Sequence, residues 1–319
     1  MSLDPETLSN LAVNLSKHPA VVEKARISYA YTPATHSAGG VPLGDDCAAI
    51  PDPEGNGYLL FAAEGMLPSF VQDDPWFAGY SAVMVNLSDV AAMGGRPLAI
   101  TDVLWTPSED LSLSVWEGLT AASSAYGVPI VGGHTTRITP ENSAGLAAAV
   151  LGRGGENLIT SFDARPGDRL VIAIDMAGDF RNDKPFWNAS TTTPSARLRA
   201  ELELLPILAE AKLCRAGKDI SNGGISGTLA MLCASSSVGV TLDLDHLPIP
   251  PATPWERWLT SFPSYGYLLA VPPDHVKKTK KLFSQSEITI TECGFFDDQH
   301  SLRLRSGGMD VRLTFATSL

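Results

Sequence analysis

The chain has 319 residues, of which 44% are hydrophobic and 18% charged, and its formal net charge at pH 7 is −12. That length accommodates two domains of ordinary size, and no run approaches the roughly 18 apolar residues that a membrane span requires. A negative field of this size opposes nucleic acid and anionic membranes, so neither is expected as a partner.

The opening "MSLDPETLSN" is polar and acidic and lacks the basic-then-apolar order of a signal peptide, so a cytoplasmic location is expected. Residues 5–28 read as helical and lead into the turn-rich "TPATHSAGGVPLGDDCAAIP", followed by the strand-like "GYLLFAAEG". "WFAGYSAVMVNLSDVAAMGG" reads as a helix of small and apolar residues, with Gly94 and Gly95 at its C-terminal end and Pro97 beyond. Next come a strand "LAITDVLW", an amphipathic helix "DLSLSVWEGLTAASSAYG" ended by Gly127, a buried strand "VPIVGG" and another strand, "SAGLAAAVLGRG". Glycine, charge and proline cluster over 152–168, which places a domain boundary there and predicts domains 1–155 and 156–319.

The second half continues with a strand "RLVIAID", a long helix over about 195–216, a strand "KDI", the turn "SNGG", a helix "ISGTLAMLCASSS" and a strand "VGVTLDLD". "WERWLTSF", a strand "YGYLLAV", a helix "PDHVKKTKKLF" and two or three strands close it. The one dense basic run, "HVKKTKK" at 275–281, reads as a solvated helix face. Cys47, Cys214, Cys233 and Cys293 lie far apart with no C-x-x-C pair, which predicts buried reduced thiols and neither zinc nor disulfides. The element order is α/β.

Acids, amides and glycines concentrate in five stretches: "LGDDCAAI" (Gly44, Asp45, Asp46), "AAEGM" (Glu64), "NLSD" (Asn86, Asp89), "GGHTTR" (Gly132, Gly133, His134, Thr135, Arg137) and "KDISNGG" (Asp219, Asn222). Singly, each has a structural reading as an Asx turn, a cap or a strand-end turn. Together they fit a hard divalent cation, which takes carboxylate oxygens and bridges them to substrate phosphates. Asp45, Asp46, Glu64 and Asp89 are the four candidate carboxylates. Glycines let backbone N–H groups approach phosphate oxygens without a Cβ in the way. Neither G-x-x-x-x-G-K-[ST] nor G-x-G-x-x-G occurs, so an acidic protein gripping a nucleotide through metal ions is the expectation.

"GDDCAAI", "VNLSDVAAMGGRP", "GGHTTR", "ARPGDRLVIA" and "DISNGG" occur in an order and spacing that resembles the aminoimidazole ribonucleotide synthetase superfamily. That superfamily includes thiamine-monophosphate kinase, selenophosphate synthetase, formylglycinamidine ribonucleotide synthetase and the hydrogenase-maturation carbamoyl dehydratase. The likeness covers about residues 39 to 271, and the "NLSD" string looks most like the kinase version. It implies a two-domain α/β (α+β) fold, whose N-terminal mixed sheet forms a homodimer interface and whose C-terminal domain is an α/β sandwich. It also implies ATP at the domain junction with its triphosphate held by Mg²⁺ (or Mn²⁺). On that resemblance Asp45, Asp46 and Asp89 would be metal ligands, and Asn86 would fix the helix face or a phosphate. Gly132 and Gly133 would make the turn that approaches phosphate, Thr135 and Arg137 would join them at the nucleotide, and Asp219 would stand at the interdomain substrate cleft.

Three positions depart from the pattern. "LFAAEGM" lets Glu64 replace the aspartate of a synthetase "T-D-G" or match the glutamate of a kinase "D-T-x-x-E-G" with Leu60 in place of the aspartate. His134 stands where "GGDT" and "GGET" members carry an acid. Imidazole is a poor Mg²⁺ ligand but can donate to a phosphate oxygen or act as a general acid. Asn222 replaces the second aspartate of "D-I-S-D-G". Residues 1–43 hold no cysteine and the chain ends "VRLTFATSL", so the reactive cysteines of the selenophosphate and carbamoyl branches have no counterpart. The expected function is ATP-dependent phosphoryl transfer to, or ligation of, a small-molecule substrate, with His134, Asp219 and Asn222 as catalytic candidates. The alternative is a nucleotide-binding or partner-binding member that has lost turnover.

Overall fold

The computed structural model describes residues 2–27, 41–139 and 143–315; residues 32–40 of the turn-rich loop lie outside them. The chain packs as two compact units. One joins residues 46–158 to 191–210, and the other joins 1–45, 159–190 and 211–319. The boundary thus falls between 158 and 159, but the opening helices pack with the C-terminal half and the 191–210 segment with the N-terminal half, unlike the contiguous domains expected from the sequence.

In chain order, α1 (Pro5–Lys17) and α2 (Pro19–Ile27) precede β1 (Ala48–Pro51), β2 (Tyr58–Met66), α3 (Pro68–Asp73) and α4 (Pro75–Ala92). Next come β3 (Gly95–Thr106), α5 (Glu109–Tyr126), β4 (Ile130–Arg137) and β5 (Gly145–Gly154). The second half holds β6 (Arg169–Ile174), β7 (Asp179–Phe180), β8 (Phe186–Asn188), α6 (Ser195–Leu202), α7 (Leu204–Glu210), β9 (Ala216–Asp219), α8 (Gly224–Ser236) and β10 (Gly239–Asp243). It closes with α9 (Trp255–Leu259), β11 (Phe262–Pro263), β12 (Gly266–Val271), α10 (Val276–Phe283), β13 (Thr289–Asp297), β14 (Leu302–Ser306) and β15 (Met309–Arg312).

The unit built on 46–158 carries a five-stranded mixed sheet ordered β1-β2-β5-β3-β4. Only β3 and β4 run parallel, and the helical connection α5 provides their crossover. Ser108 caps α5 by accepting from the Leu111 N–H, and Gly127 ends it in the left-handed conformation. α4 is apolar around most of its circumference because both sides are covered. Its outer side meets α5 at a crossing where side chains at Gly79 and Gly118 would strike the Val115 and Trp76 carbonyls. Its inner side covers the sheet face formed by Leu60, Val150 and Ile100, all fully buried.

Among the described residues no helix covers the opposite sheet face: Ile50, Phe61, Leu151 and Trp105 are each about 40–50% exposed. Strand β4, expected to be buried, is exposed along most of its length. It is a sheet edge, and Val131 sits in a bulge where the register with β3 shifts between Ile100 and Thr101. The 191–210 segment is held here by charge. Arg199 donates to the Ser124 and Ala125 carbonyls at the end of α5, at 2.6 and 3.1 Å. Arg96 pairs with Glu203 and Glu210 at 2.7 and 2.5 Å. The helix expected over 195–216 is therefore two short helices, and its last part becomes a turn, with Lys212 at φ +53, and the start of β9.

The other unit carries a seven-stranded sheet, β15-β14-β10-β13-β6-β12-β9, and a small three-stranded one, β11-β8-β7. Strands β6 and β12 are buried almost throughout and read as continuous apolar runs, as strands covered on both faces do. Leu8, Leu11 and Leu15 of α1, Leu229 of α8, Trp258 and Leu268 belong to one core. The basic residues of α10 stay at its solvated side while Val276, Thr279 and Phe283 are buried. Cys47, Cys233 and Cys293 are buried and Cys214 half-buried, all as free thiols.

Candidate functional site

The Asp46 and Asp89 carboxylates approach each other within 4.8 Å in the five-stranded unit. Local structure dictates this meeting. The Cys47 N–H donates to Met93 Sδ at 3.1 Å, which pins the chain entering β1 onto the end of α4, one turn beyond Asp89. Asp89 is 6% exposed. Two carboxylates at this separation repel by roughly 3–4 kcal/mol at an effective dielectric near 20. A bound cation or a shared proton relieves that repulsion.

Asn86, on the same helix, is fully buried, and its amide donates back to the Ala82 carbonyl at 2.8 Å. Its Oδ1 has no hydrogen-bond partner among the described residues. Asp45 belongs to the seven-stranded unit, within which its Oδ2 accepts the Ser161 N–H at 2.8 Å. The two aspartates of "GDD" therefore separate, Asp45 anchoring the loop and Asp46 facing Asp89. Gly44 before them takes a positive φ of +101, a conformation that favours glycine.

Glu64 is exposed on β2 and lies in register with Ala148 of β5. Ala148 is in turn in register with Asp102 of β3, and Asp102 with Gly133 of β4. Directly opposed residues share a sheet face, so Glu64, Ala148, Asp102 and Gly133 form one row on the α4 side. Gly132 and Gly133 thus sit inside a strand, with extended backbone, and do not form the turn expected of them. His134, Thr135 and Arg137 follow on the same strand, exposed.

Asp102 was not singled out from the sequence, yet it is 2% exposed and neither carboxylate oxygen has a hydrogen-bond partner among the described residues. Burial pushes its carboxyl above the ordinary carboxylate range. Its phase carried the signal: within "LAITDVLW" it alternates with Ile100 and Leu104, so period two puts it on the buried face. A Cβ on residue 133 would collide with Asp102 Oδ1, which explains glycine there.

In the seven-stranded unit, Asp219 ends β9 at 5% exposure, and Asn222 is exposed in the turn to α8. Gly223 and Gly224 both take positive φ, and a side chain at Gly223 would meet the Ala20 carbonyl of α2 at 2.9 Å. Those glycines serve the packing of α8 on α2.

Comparison with known proteins agrees with this architecture. Residues 44–154 match the family model described as AIR synthase related protein, N-terminal domain, and residues 168–306 match that of the C-terminal domain. An uncharacterized protein of Synechocystis sp., sll0787, is 45% identical over 305 residues, covering 94% of this chain and 93% of that one. The thiamine-monophosphate kinase of Synechococcus elongatus is 28% identical over 237 residues, 67% of this chain and 70% of the kinase. A structure of T. maritima PurL complexed with ADP superposes with a TM-score of 0.72 at 18% identity, covering 97% of this chain and 50% of that one. The present chain thus spans about half the length of that PurL, and the likeness shows the fold. With both halves matched in order, the chain belongs to the AIR synthase related family, and it has that family's two-domain mixed α+β fold.

Proposed function

We propose that this chain is an ATP-dependent phosphotransferase or synthetase that passes the γ-phosphate of Mg²⁺-bound (or Mn²⁺-bound) ATP to an oxygen of a small molecule. The observation that carries the reading is the Asp46–Asp89 pair, two acidic oxygen donors brought within 4.8 Å in a protein of net charge −12. Mg²⁺ prefers such donors and fills its remaining positions with waters and substrate phosphates. Relatives support the nucleotide: one is named a kinase and another was solved with ADP.

When bound, a divalent cation would supply the positive charge that neutralises a triphosphate. The chain's own residues supply position and polarity. Asp46 and Asp89 hold the ion, Asp45 keeps the loop that presents Asp46 in place, and Glu64 is a further carboxylate. Gly44 and the β4 residues Gly132, Gly133, Thr135 and Arg137 are the candidates to meet the nucleotide. His134, exposed and able to donate, is suited to a phosphate oxygen, and Asp219 with Asn222 to the acceptor. Asn86 acts from within α4, holding the helix that carries Asp89. The protein works as a homodimer through the open face of the five-stranded sheet.

The experiment is ATP turnover against a panel of small amides, carboxylic acids and alcohols, with and without Mg²⁺. Metal-dependent release of ADP with one acceptor class is the expected result. Tight Mg²⁺-ATP binding without turnover on any acceptor favours the binding-only alternative.

A further inference from the structure

An asparagine followed by glycine carries a reaction within its own backbone. The side-chain carbonyl carbon lies within reach of the next main-chain nitrogen, and glycine has no Cβ to hinder the approach. The chain holds two such dipeptides, Asn56–Gly57 and Asn222–Gly223. The fold treats them differently.

Asn56 is exposed in the loop between β1 and β2. Among the described residues neither its side chain nor the Gly57 N–H makes a hydrogen bond. The loop is tied around the dipeptide rather than through its reacting groups: the Asp52 N–H donates to the Gly57 carbonyl at 2.9 Å, and the Gly55 N–H to the Asp52 carbonyl at 3.4 Å. Packing keeps residue 57 a glycine, because at φ +150 a Cβ would strike the Gly154 carbonyl. Asn222–Gly223 is held on both sides. The Gly224 N–H donates to the Ser221 carbonyl at 2.9 Å, which closes a turn over the pair, and Gly223 at φ +88 and ψ −3 has the shape of the third residue of a type II turn. Gly223 is also buried, and its carbonyl accepts the Gly227 N–H of α8 at 3.0 Å.

We propose that Asn56 is a site of spontaneous deamidation and that the fold protects Asn222 from the same reaction. The Gly57 nitrogen gives up its proton to solvent base and attacks the Asn56 side-chain carbonyl carbon, and the tetrahedral adduct expels the side-chain nitrogen as ammonia. The resulting five-membered imide is opened by one water at either carbonyl, which leaves aspartate or isoaspartate at position 56. Each event adds one negative charge beside Asp52 and Glu54 in a chain already at −12. The isoaspartate product also lengthens the main chain of the loop by one atom, at the base of β1, which pairs with β2 alone.

The test is incubation of the full-length protein at mildly alkaline and at mildly acidic pH, followed by peptide mapping with mass spectrometry and by ion exchange. A parallel incubation in urea measures the reactivity of both dipeptides without the fold. In the folded protein Asn56 should convert on the order of 10-fold or more faster than Asn222, which must first open its turn, and faster at alkaline than at acidic pH. In urea the two sites should convert at similar rates. Asn56→Gln, an exposed and conservative change, should abolish the acidic species seen by ion exchange. An Asn56 peptide that stays intact in the folded protein while it converts in urea would overturn the proposal, as would equal conversion of Asn56 and Asn222 in the folded protein.

Discussion

The carboxylates of Asp46 and Asp89 meet within 4.8 Å although one comes from the approach to β1 and the other from the middle of a buried helix. The Cys47–Met93 contact holds them there. An acid inside so apolar a helix thus faces another acid, and on the proposed reading a cation between them would satisfy both.

Replacement of Asp89 by Asn keeps size and hydrogen-bonding capacity and removes the charge. Binding of Mg²⁺-ATP should weaken by about 1–3 kcal/mol, the range for a lost contact to a charged group, while Tm in the absence of ligand holds. A purely structural aspartate gives the reverse ranking, early melting with unaltered affinity, and measuring both on one preparation separates the two.

The uncovered sheet face, with Ile50, Phe61, Leu151 and Trp105 showing, is an apolar patch of the kind that marks an interface. Light scattering should give a dimer at micromolar concentration, and Trp105→Glu should shift it to monomer by placing a charge in the buried centre of the patch. A parent protein that is monomeric under those conditions rules the interface out.

Much of this was legible in the sequence. Gly127 and Ser108 announced the ends of α5, the continuous apolar runs announced β6 and β12, and the five polar stretches include Asp46 and Asp89. What escaped was set by tertiary placement. "VPIVGG" reads as a buried strand, yet nothing in its composition says that β4 is the sheet edge. The 195–216 segment reads as one helix, but Arg96 and Arg199 draw its first part onto the N-terminal half as two short helices. Asp102 hid because one acid in an alternating strand looks like a solvent-facing position, and only its phase with Ile100 and Leu104 says otherwise.

Gly94 ends α4 at φ +75, and a methyl there would press on the Ala209 side chain of α7. Gly94→Ala should therefore cost about 1–3 kcal/mol from left-handed strain and displaced packing, read as a lower Tm. Gly155→Ala, where φ is not positive and a Cβ meets nothing within 4 Å, is the control and should change little.

Asp245 accepts from the Gly307 N–H at 2.7 Å and the Ser306 hydroxyl at 2.8 Å, and these bonds, the Gly307 one foremost, hold its carboxyl below the ordinary range. A depressed folded-state pKa means stability that is present above the unfolded carboxylate range and lost as pH falls through the folded value. Acid unfolding curves should show this as a shallower low-pH limb in Asp245→Asn than in the parent. Parallel limbs in the two proteins would mean that the turn joining β14 and β15 draws nothing from the charge.

The central claim is that this acidic protein meets a triphosphate through divalent metal. Isothermal titration of ATP in Mg²⁺ and again in EDTA tests it most directly, since without the ion the triphosphate faces like charge at Asp46 and Asp89. The account predicts saturable binding with Mg²⁺ that weakens by on the order of 10-fold or more when the metal is chelated. Equal affinity in the two buffers would contradict it.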